Sequence, residues 1–343
     1  MTRRWSIEQA KQWRAERPWY CGGNFLPSTA INQLEMWMAD TFDPETIDRE
    51  LGFAESIGMN AMRVYLHDLV WKNDRDGFFD RMRQYLEIAD SHGIATLFVI
   101  FDDCWLTDPV YGVQKSPEPE RHNPGWVQSP GRAIMRDPSQ WAPLEEYVTD
   151  VLTTFTGDSR ILGWDLYNEP GNGHSGDEAT MEDSSEQYNL PLLTKVFAWA
   201  QAVRPSQPLT VGLWRSTLKQ IAELCATQSD IISFHQYESP QAVLDDIVRI
   251  EGLAEGRPII CTEYMARGMG NTFHTILPIL KSHDIGAINW GLVSGKSQTI
   301  FPWHWKEGMG TPELLFHDVF NVDGSMLYPL EEAPIRAATG KAK

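Results

Sequence analysis

One rhythm constrains this chain more than any other feature. A short apolar, β-branched run, a polar loop and a segment of helical period follow one another eight times. The runs are Trp19–Phe25, Ala61–His67, Ile94–Phe101, Ile161–Asn168, Leu209–Trp214, Ile231–Tyr237, Pro258–Glu263 and Ile285–Leu292. Strands that alternate with helical patterns predict βαβ units and a parallel sheet. The helical segments carry apolar residues at helix-face spacing, as in Ile47, Leu51, Ala54 and Ile57, in Phe79, Met82, Leu86 and Ala89, and in Leu144, Val148, Val151 and Phe155. Asp43-Pro44, Asp137-Pro138 and Ser239-Pro240 each place a capping side chain before a proline at the first helical position. Gly58, Gly93 and Gly157 stand where helices should stop.

Eight such units in 343 residues predict an α/β protein with a (β/α)8 TIM barrel, a single domain over 1–343. An open doubly wound sheet is the alternative. It calls for a glycine-rich phosphate turn after an early strand, and Cys21-Gly22-Gly23 is not that turn. Two long loops follow the third and eighth strands, Asp102–Arg136 and Gly291–Thr311; the second holds Lys296, Trp303, His304 and Trp305. Both leave strand C-termini, the face on which barrel sites assemble. Residues 331–343 read as a loosely ordered tail.

Charge narrows the partners. Asp and Glu number 47 against 29 Lys and Arg, a net of -18. Such a surface repels phosphate backbones and anionic headgroups, so neither nucleic acid nor membrane is an expected partner, while neutral sugars are not repelled. No apolar run reaches the roughly 18 residues that a membrane span needs. The N-terminal stretch lacks the apolar core of a secretory signal, so the expectation is a cytoplasmic location, or secretion if a native signal precedes it. Cys21, Cys104, Cys225 and Cys261 are scattered without a CxxC pair, which predicts buried free thiols and not a zinc site or a disulfide framework. Asp102, Asp103 and Asp108 do not have the spacing of a calcium loop, so neither metal nor cofactor is expected.

The chemistry concentrates at two strand ends. Leu162-Gly163-Trp164-Asp165-Leu166-Tyr167-Asn168-Glu169-Pro170 is an apolar-rich strand ending in Asn-Glu-Pro. Pro258-Ile259-Ile260-Cys261-Thr262-Glu263-Tyr264 also runs into a glutamate, and simple alternation puts Ile259, Cys261 and Glu263 on one face, the first two inside the barrel. Two carboxylates on separate strand ends are what glycoside hydrolysis requires, one as proton donor and the other to attack or stabilise the sugar carbon. Whichever of the two is the acid needs a pKa above that of a free carboxyl, which partial burial and the other carboxylate nearby would supply.

With these motifs in their order along the strands, the chain resembles the clan A glycoside hydrolases, nearest to the cellulase-like family five, over nearly its whole length. The resemblance implies Glu169 as acid/base and Glu263 as nucleophile of a retaining enzyme. It matches Asn168 to the asparagine before the acid, Arg63 in Ala61-Met62-Arg63-Val64-Tyr65 to the arginine that pairs with the nucleophile, His235 and Tyr237 in Ser233-Phe234-His235-Gln236-Tyr237 to the sixth-strand pair, and Trp290 to the tryptophan floor on the eighth strand. Asn168 is then expected on the sugar 2-hydroxyl and Tyr237 on Glu263. The family commonly has a histidine near the end of the third strand; this chain has Phe101-Asp102-Asp103-Cys104-Trp105, so Asp102, Asp103 or His67 is expected to take over its hydroxyl contact. Among 14 tryptophans, Trp105, Trp126, Trp214, Trp303 and Trp305 lie in or beside the active-face loops, and two or three are expected as sugar platforms.

The expected function is a retaining β-glycoside hydrolase cleaving a β-linked neutral oligo- or polysaccharide through a covalent glycosyl-enzyme. The alternatives are a catalytically silent glycan-binding barrel, a transglycosylase using the same two glutamates, and a metal-dependent hydrolase built on His67, His235 and the Asp102–Asp103 pair.

Overall fold

A computed structural model describes residues 4–172 and 186–342. Its eight strands form one closed, all-parallel barrel in sequential order. They are β1 (Cys21–Asn24), β2 (Ala61–Tyr65), β3 (Ala95–Val99), β4 (Ile161–Asn168), β5 (Leu209–Leu213), β6 (Ile232–His235), β7 (Ile259–Glu263) and β8 (Gly286–Asn289). All eight predicted strands are present, and closure excludes the open sheet. The capping signals act as expected at two helices: the Asp43 carboxylate accepts from the Thr46 amide at 3.0 Å and heads helix Pro44–Ser56, and Ser239 heads helix Pro240–Ala254. Asp137-Pro138 opens only a 3-10 turn, Pro138–Gln140, ahead of helix Ala142–Thr154.

The barrel has two packed layers. Outward residues such as Met62, Val64, Phe98, Ile161, Phe234, Ile259 and Cys261 join the helices in the main core. Inward residues Ala61, Leu97, Leu162, Ile260 and Ile288 form a separate apolar plug at the N-terminal end. Trp13, on helix Ile7–Ala15, and Tyr20 close this plug from below, their rings 6.4 Å apart.

The chain end differs from expectation. Glu332–Thr339 is an α-helix with Ile335 fully buried, packed against helix Phe273–Ser282. Thr339 donates to the Ile57 carbonyl at 2.9 Å, beside the helix that follows β1. The supposed tail is therefore the eighth outer helix of the ring. Its brevity and its internal Pro334 hid the apolar stripe, which has only Ile335 and Ala338 to show.

Strand β7 also corrects the reading of its faces. Ile260, not Ile259 or Cys261, points into the barrel. The β6–β7 register jumps from Phe234↔Cys261 to His235↔Glu263, so Thr262 is an extra residue that turns Glu263 inward. A comparable jump in β4, between Asp165↔Thr210 and Asn168↔Gly212, lets Asp165 and Asn168 both face the interior although they are three residues apart. Inserted residues of this kind re-aim side chains at barrel rims.

Candidate active site

The C-terminal mouth of the barrel is built around one buried cation. Arg63 on β2 is completely buried, and its guanidinium reaches five neighbours. Nε and Nη2 donate to Asp165 at 3.0 and 2.8 Å, Nη1 to Asn24 at 2.8 Å, to the Tyr65 hydroxyl and to Glu263 Oε1 at 2.7 Å, and Nη2 to Asn168 Oδ1 at 2.6 Å. Burial opposes the charge, yet Tyr65, Asp165 and Glu263 together hold it well above the ordinary arginine value. A planar fork of donors is the group that can serve so many acceptors at once.

Glu263, at the end of β7, accepts from three donors. Oε1 takes Arg63 and the Tyr65 hydroxyl at 2.8 Å, and Oε2 takes the Tyr237 hydroxyl at 2.7 Å. Burial, then the neighbouring Glu263 charge, pushes the Tyr237 phenol well above its usual range; burial does the same to Tyr65, against the pull of Arg63. Both phenols therefore keep their protons and donate. A carboxylate tied to a guanidinium and two hydroxyls is fixed in one orientation.

Glu169 lies one residue past β4 in a different setting. Its φ of 44° is left-handed, a conformation that costs an ordinary residue energy and that clusters at functional sites. The turn is fastened by Asp103, which accepts from the Gly171 amide at 3.0 Å and from Asn189 at 2.8 Å. Oε1 of Glu169 meets His235 Nδ1 at 2.6 Å, and Oε2 accepts from the Cys104 thiol at 3.3 Å and from the Asn172 amide. Burial lowers His235 to about 4, so the imidazole is neutral at ordinary pH and adds no positive charge beside Glu169. Gly212 on β5 makes room for that ring, since a Cβ there would stand 2.8 Å from His235 Nε2.

One oxygen of Glu169, one of Glu263 and a nitrogen of His235 lie within 4.8 Å of one another. This is the group among the described residues with the spacing to hold a metal ion. The donor set fits a cation poorly, because Glu263 already takes three donors and one of them is the Arg63 guanidinium.

The carboxylates face a cavity of about 310 Å³ lined by Cys104, Trp105, His122, Asn123, Trp126, Asn168, Glu169, Asn172, Trp214, Tyr237, Glu263, Trp290 and Trp303. Of the expected sugar platforms, Trp305 is absent from this lining and bonds the Gly310 carbonyl at 2.6 Å. Two other expectations fail. His67 does not line the cavity; it is fully buried, caps helix Asp68–Asn73 by accepting from the Leu69 amide, and sits 3.1 Å from Asp68. Asp102 is also sealed, and accepts from Asn168 Nδ2 at 2.8 Å, Trp126 Nε1 at 2.6 Å, the Cys104 amide at 3.1 Å and Gln33 at 3.2 Å. Burial pushes its carboxyl up to about 7. Asp102 thus orients Asn168, whose oxygen faces Arg63 and whose amide nitrogen faces Asp102.

Tyr65, Asp165, Asn24, Cys104 and Asn172 complete the network, and sequence reasoning had not singled them out. Tyr65 was within reach, since alternation puts it on the face of Arg63. A wider groove of about 610 Å³ opens at the opposite end of the barrel, beside Lys11, Arg14, Glu251 and Asp284, where Arg14 pairs with Asp284 and His283 with Glu251.

No protein-family model matches the sequence, and no curated protein does. Solved structures do. GH5_18 from Streptomyces cattleya in complex with GlcNAc superposes with a TM-score of 0.66 at 11% identity, covering 95% of this chain and 80% of the other. A β-glucosidase superposes at 0.61 and 12%, covering 95% and 99%. The β-1,4-mannanase of the sea hare Aplysia kurodai superposes at 0.55 and 16%, covering 80% and 88%. At such identities the likeness is one of architecture, and the chain shares its barrel fold with these cellulase-like, family-five glycoside hydrolases.

Proposed function

We propose that this chain is a retaining β-glycoside hydrolase, with Glu263 as nucleophile and Glu169 as acid/base. One observation carries the reading: carboxylates at the ends of β4 and β7 bring oxygens within 4.8 Å of each other, Glu263 paired with the Arg63 guanidinium and Glu169 with the His235 imidazole. Retaining enzymes hold their two carboxyl groups about 5–5.5 Å apart, and inverting ones leave room for a water between them. The ionised Glu263 attacks the anomeric carbon, the bond to the leaving oxygen breaks, and the Glu169 proton goes to that oxygen. Water then attacks the same carbon and gives its proton to Glu169, and Glu263 leaves as a carboxylate. In this reading Asn168, held between Arg63 and Asp102, contacts the sugar at C2. The structural neighbours support a carbohydrate substrate, since one is in complex with GlcNAc and a related GH5_18 variant with Manβ1-4GlcNAc.

NMR of the first-formed sugar tests the stereochemistry. The β anomer is expected, and a first-formed α anomer overturns the double displacement. In Glu169→Ala, azide should restore turnover of an aryl β-glycoside with a good leaving group, giving a β-glycosyl azide. Absence of turnover by the wild-type protein on a broad panel of β-glycosides overturns the hydrolase reading.

A further inference from the structure

The two long loops and the loop after β1 are stitched together over one half of the barrel mouth. The Asn123 amide donates to the Ser297 carbonyl at 2.9 Å, joining the β3 loop to the β8 loop. Gln298 extends that seam: its oxygen accepts from the Glu120 amide at 2.9 Å and its nitrogen donates to the Glu118 carbonyl at 2.7 Å. His122 adds a bond to the Phe301 carbonyl at 2.8 Å. The β1 loop ties to both, through Lys296 to the Ser28 carbonyl at 3.0 Å on one side and Asn32 to the Gly125 carbonyl at 2.8 Å on the other. The loops after β8, β1 and β3 are therefore joined into one wall.

The chemistry says which end of the substrate meets this wall. Glu169 protonates the leaving oxygen, so the leaving group departs over β4. The ring under attack lies on the other side of its anomeric carbon, above Glu263 and against Trp290. Trp290 stands in a cluster with Tyr65 and Trp126, ring centroids 5.9 and 5.4 Å away, and Trp126 belongs to the stitched β3 loop. The cavity, at about 310 Å³, is at the small end of the roughly 300–1,000 Å³ typical of ligand sites.

We infer that the wall ends the glycone side of the site after the attacked sugar, so that the enzyme removes single residues from the non-reducing ends of short β-linked glycans. This rests on the hydrolase reading of the same cavity. A seam of two backbone–backbone bonds and four side-chain bonds between three loops is a barrier with several ties, unlike a single side chain that could swing aside.

Reducing-end-labelled β-linked oligosaccharides of several sugars test it, each paired with a copy whose non-reducing terminal sugar carries a bulky 4,6-acetal. The expected result is a labelled ladder shortened one residue at a time, a monosaccharide as the first small product, and at least a 100-fold lower rate on capped copies. Internal cleavage that yields mixed oligosaccharides, or equal rates on capped and free chains, overturns the inference and leaves the hydrolase reading standing. Should no β-glycoside be turned over, the hydrolase reading falls, and calorimetric binding of the same panel to the wild-type protein decides the wall separately: free ends bound and capped ends rejected support it, equal binding overturns it.

Discussion

The two ends of the barrel are made by the same strands and do opposite work. At the N-terminal end Ala61, Leu97, Leu162, Ile260 and Ile288 meet as aliphatic side chains with no polar atom among them. Two to six residues further along, β2, β4 and β7 carry Arg63, Asp165, Asn168 and Glu263, buried and joined by charge-assisted hydrogen bonds. The first arrangement gains by leaving water and cares little about angles. The second has given up water for fixed partners, and removing one partner leaves another stranded. The lesson is a division along the strand: stability rests at one end, and orientation of charge at the other.

Substitutions at the two ends should therefore fail differently. The largest effect is expected for Glu263→Gln, which keeps the shape and removes the proposed nucleophile. Its kcat should fall by about 10⁴-fold or more with a folded, cooperative melt; a rate near wild type would break the assignment of chemistry to this end. Leu97→Ala at the opposite end should cost about 2–5 kcal/mol of unfolding free energy through lost burial and a cavity. Below its melting range its kcat should stay within a few-fold of wild type, and a large loss of kcat in the folded variant would blur the division.

The pH dependence of stability sharpens the comparison further. His235 is fully buried, with a value lowered from 6.5 to about 4 by burial. The unfolded chain binds the extra proton between those values, so the stability owed to the neutral ring is whole above pH 6.5 and is lost as pH falls toward 4. The stability difference between wild type and His235→Asn should shrink by about 3 kcal/mol across that window, read from urea melts at several pH values. A constant difference would mean that the ring is not held neutral in the folded protein. The smallest effect is expected at Cys104. Losing its hydrogen bond to Glu169 in Cys104→Ala should lower kcat by less than about 10-fold and move the alkaline limb of the pH–rate profile up by at most about one unit. Cys104→Ser keeps a donor and should restore the limb; identical profiles for all three proteins would remove Cys104 from the site.

The sequence made the barrel legible because periodicity is a local property. All eight strands and most outer helices announce themselves by spacing and caps. Both glutamates were visible because each ends an apolar run. What stayed hidden depends on contacts between distant segments. Alternation along β7 could not reveal that Thr262 is an extra residue, because the register is set against β6. The composition of the β3 loop could not tell that Asp102 faces inward to Asn168 and Trp126, nor that His67 spends its ring on a helix start. Cys104 and Asn172 reach Glu169 only because the turn fastened by Asp103 brings them there.

The extra residue in β7 has a consequence for anyone who would transplant this chemistry. Below it, inward and outward positions are dictated by packing against neighbours; above it, the direction of Glu263 is set by the extra residue. A graft that copied the residue types of this strand and trimmed it to perfect alternation would rotate the carboxylate into the greasy interval between sheet and helices. Glu263 and the irregularity beneath it would have to be moved together.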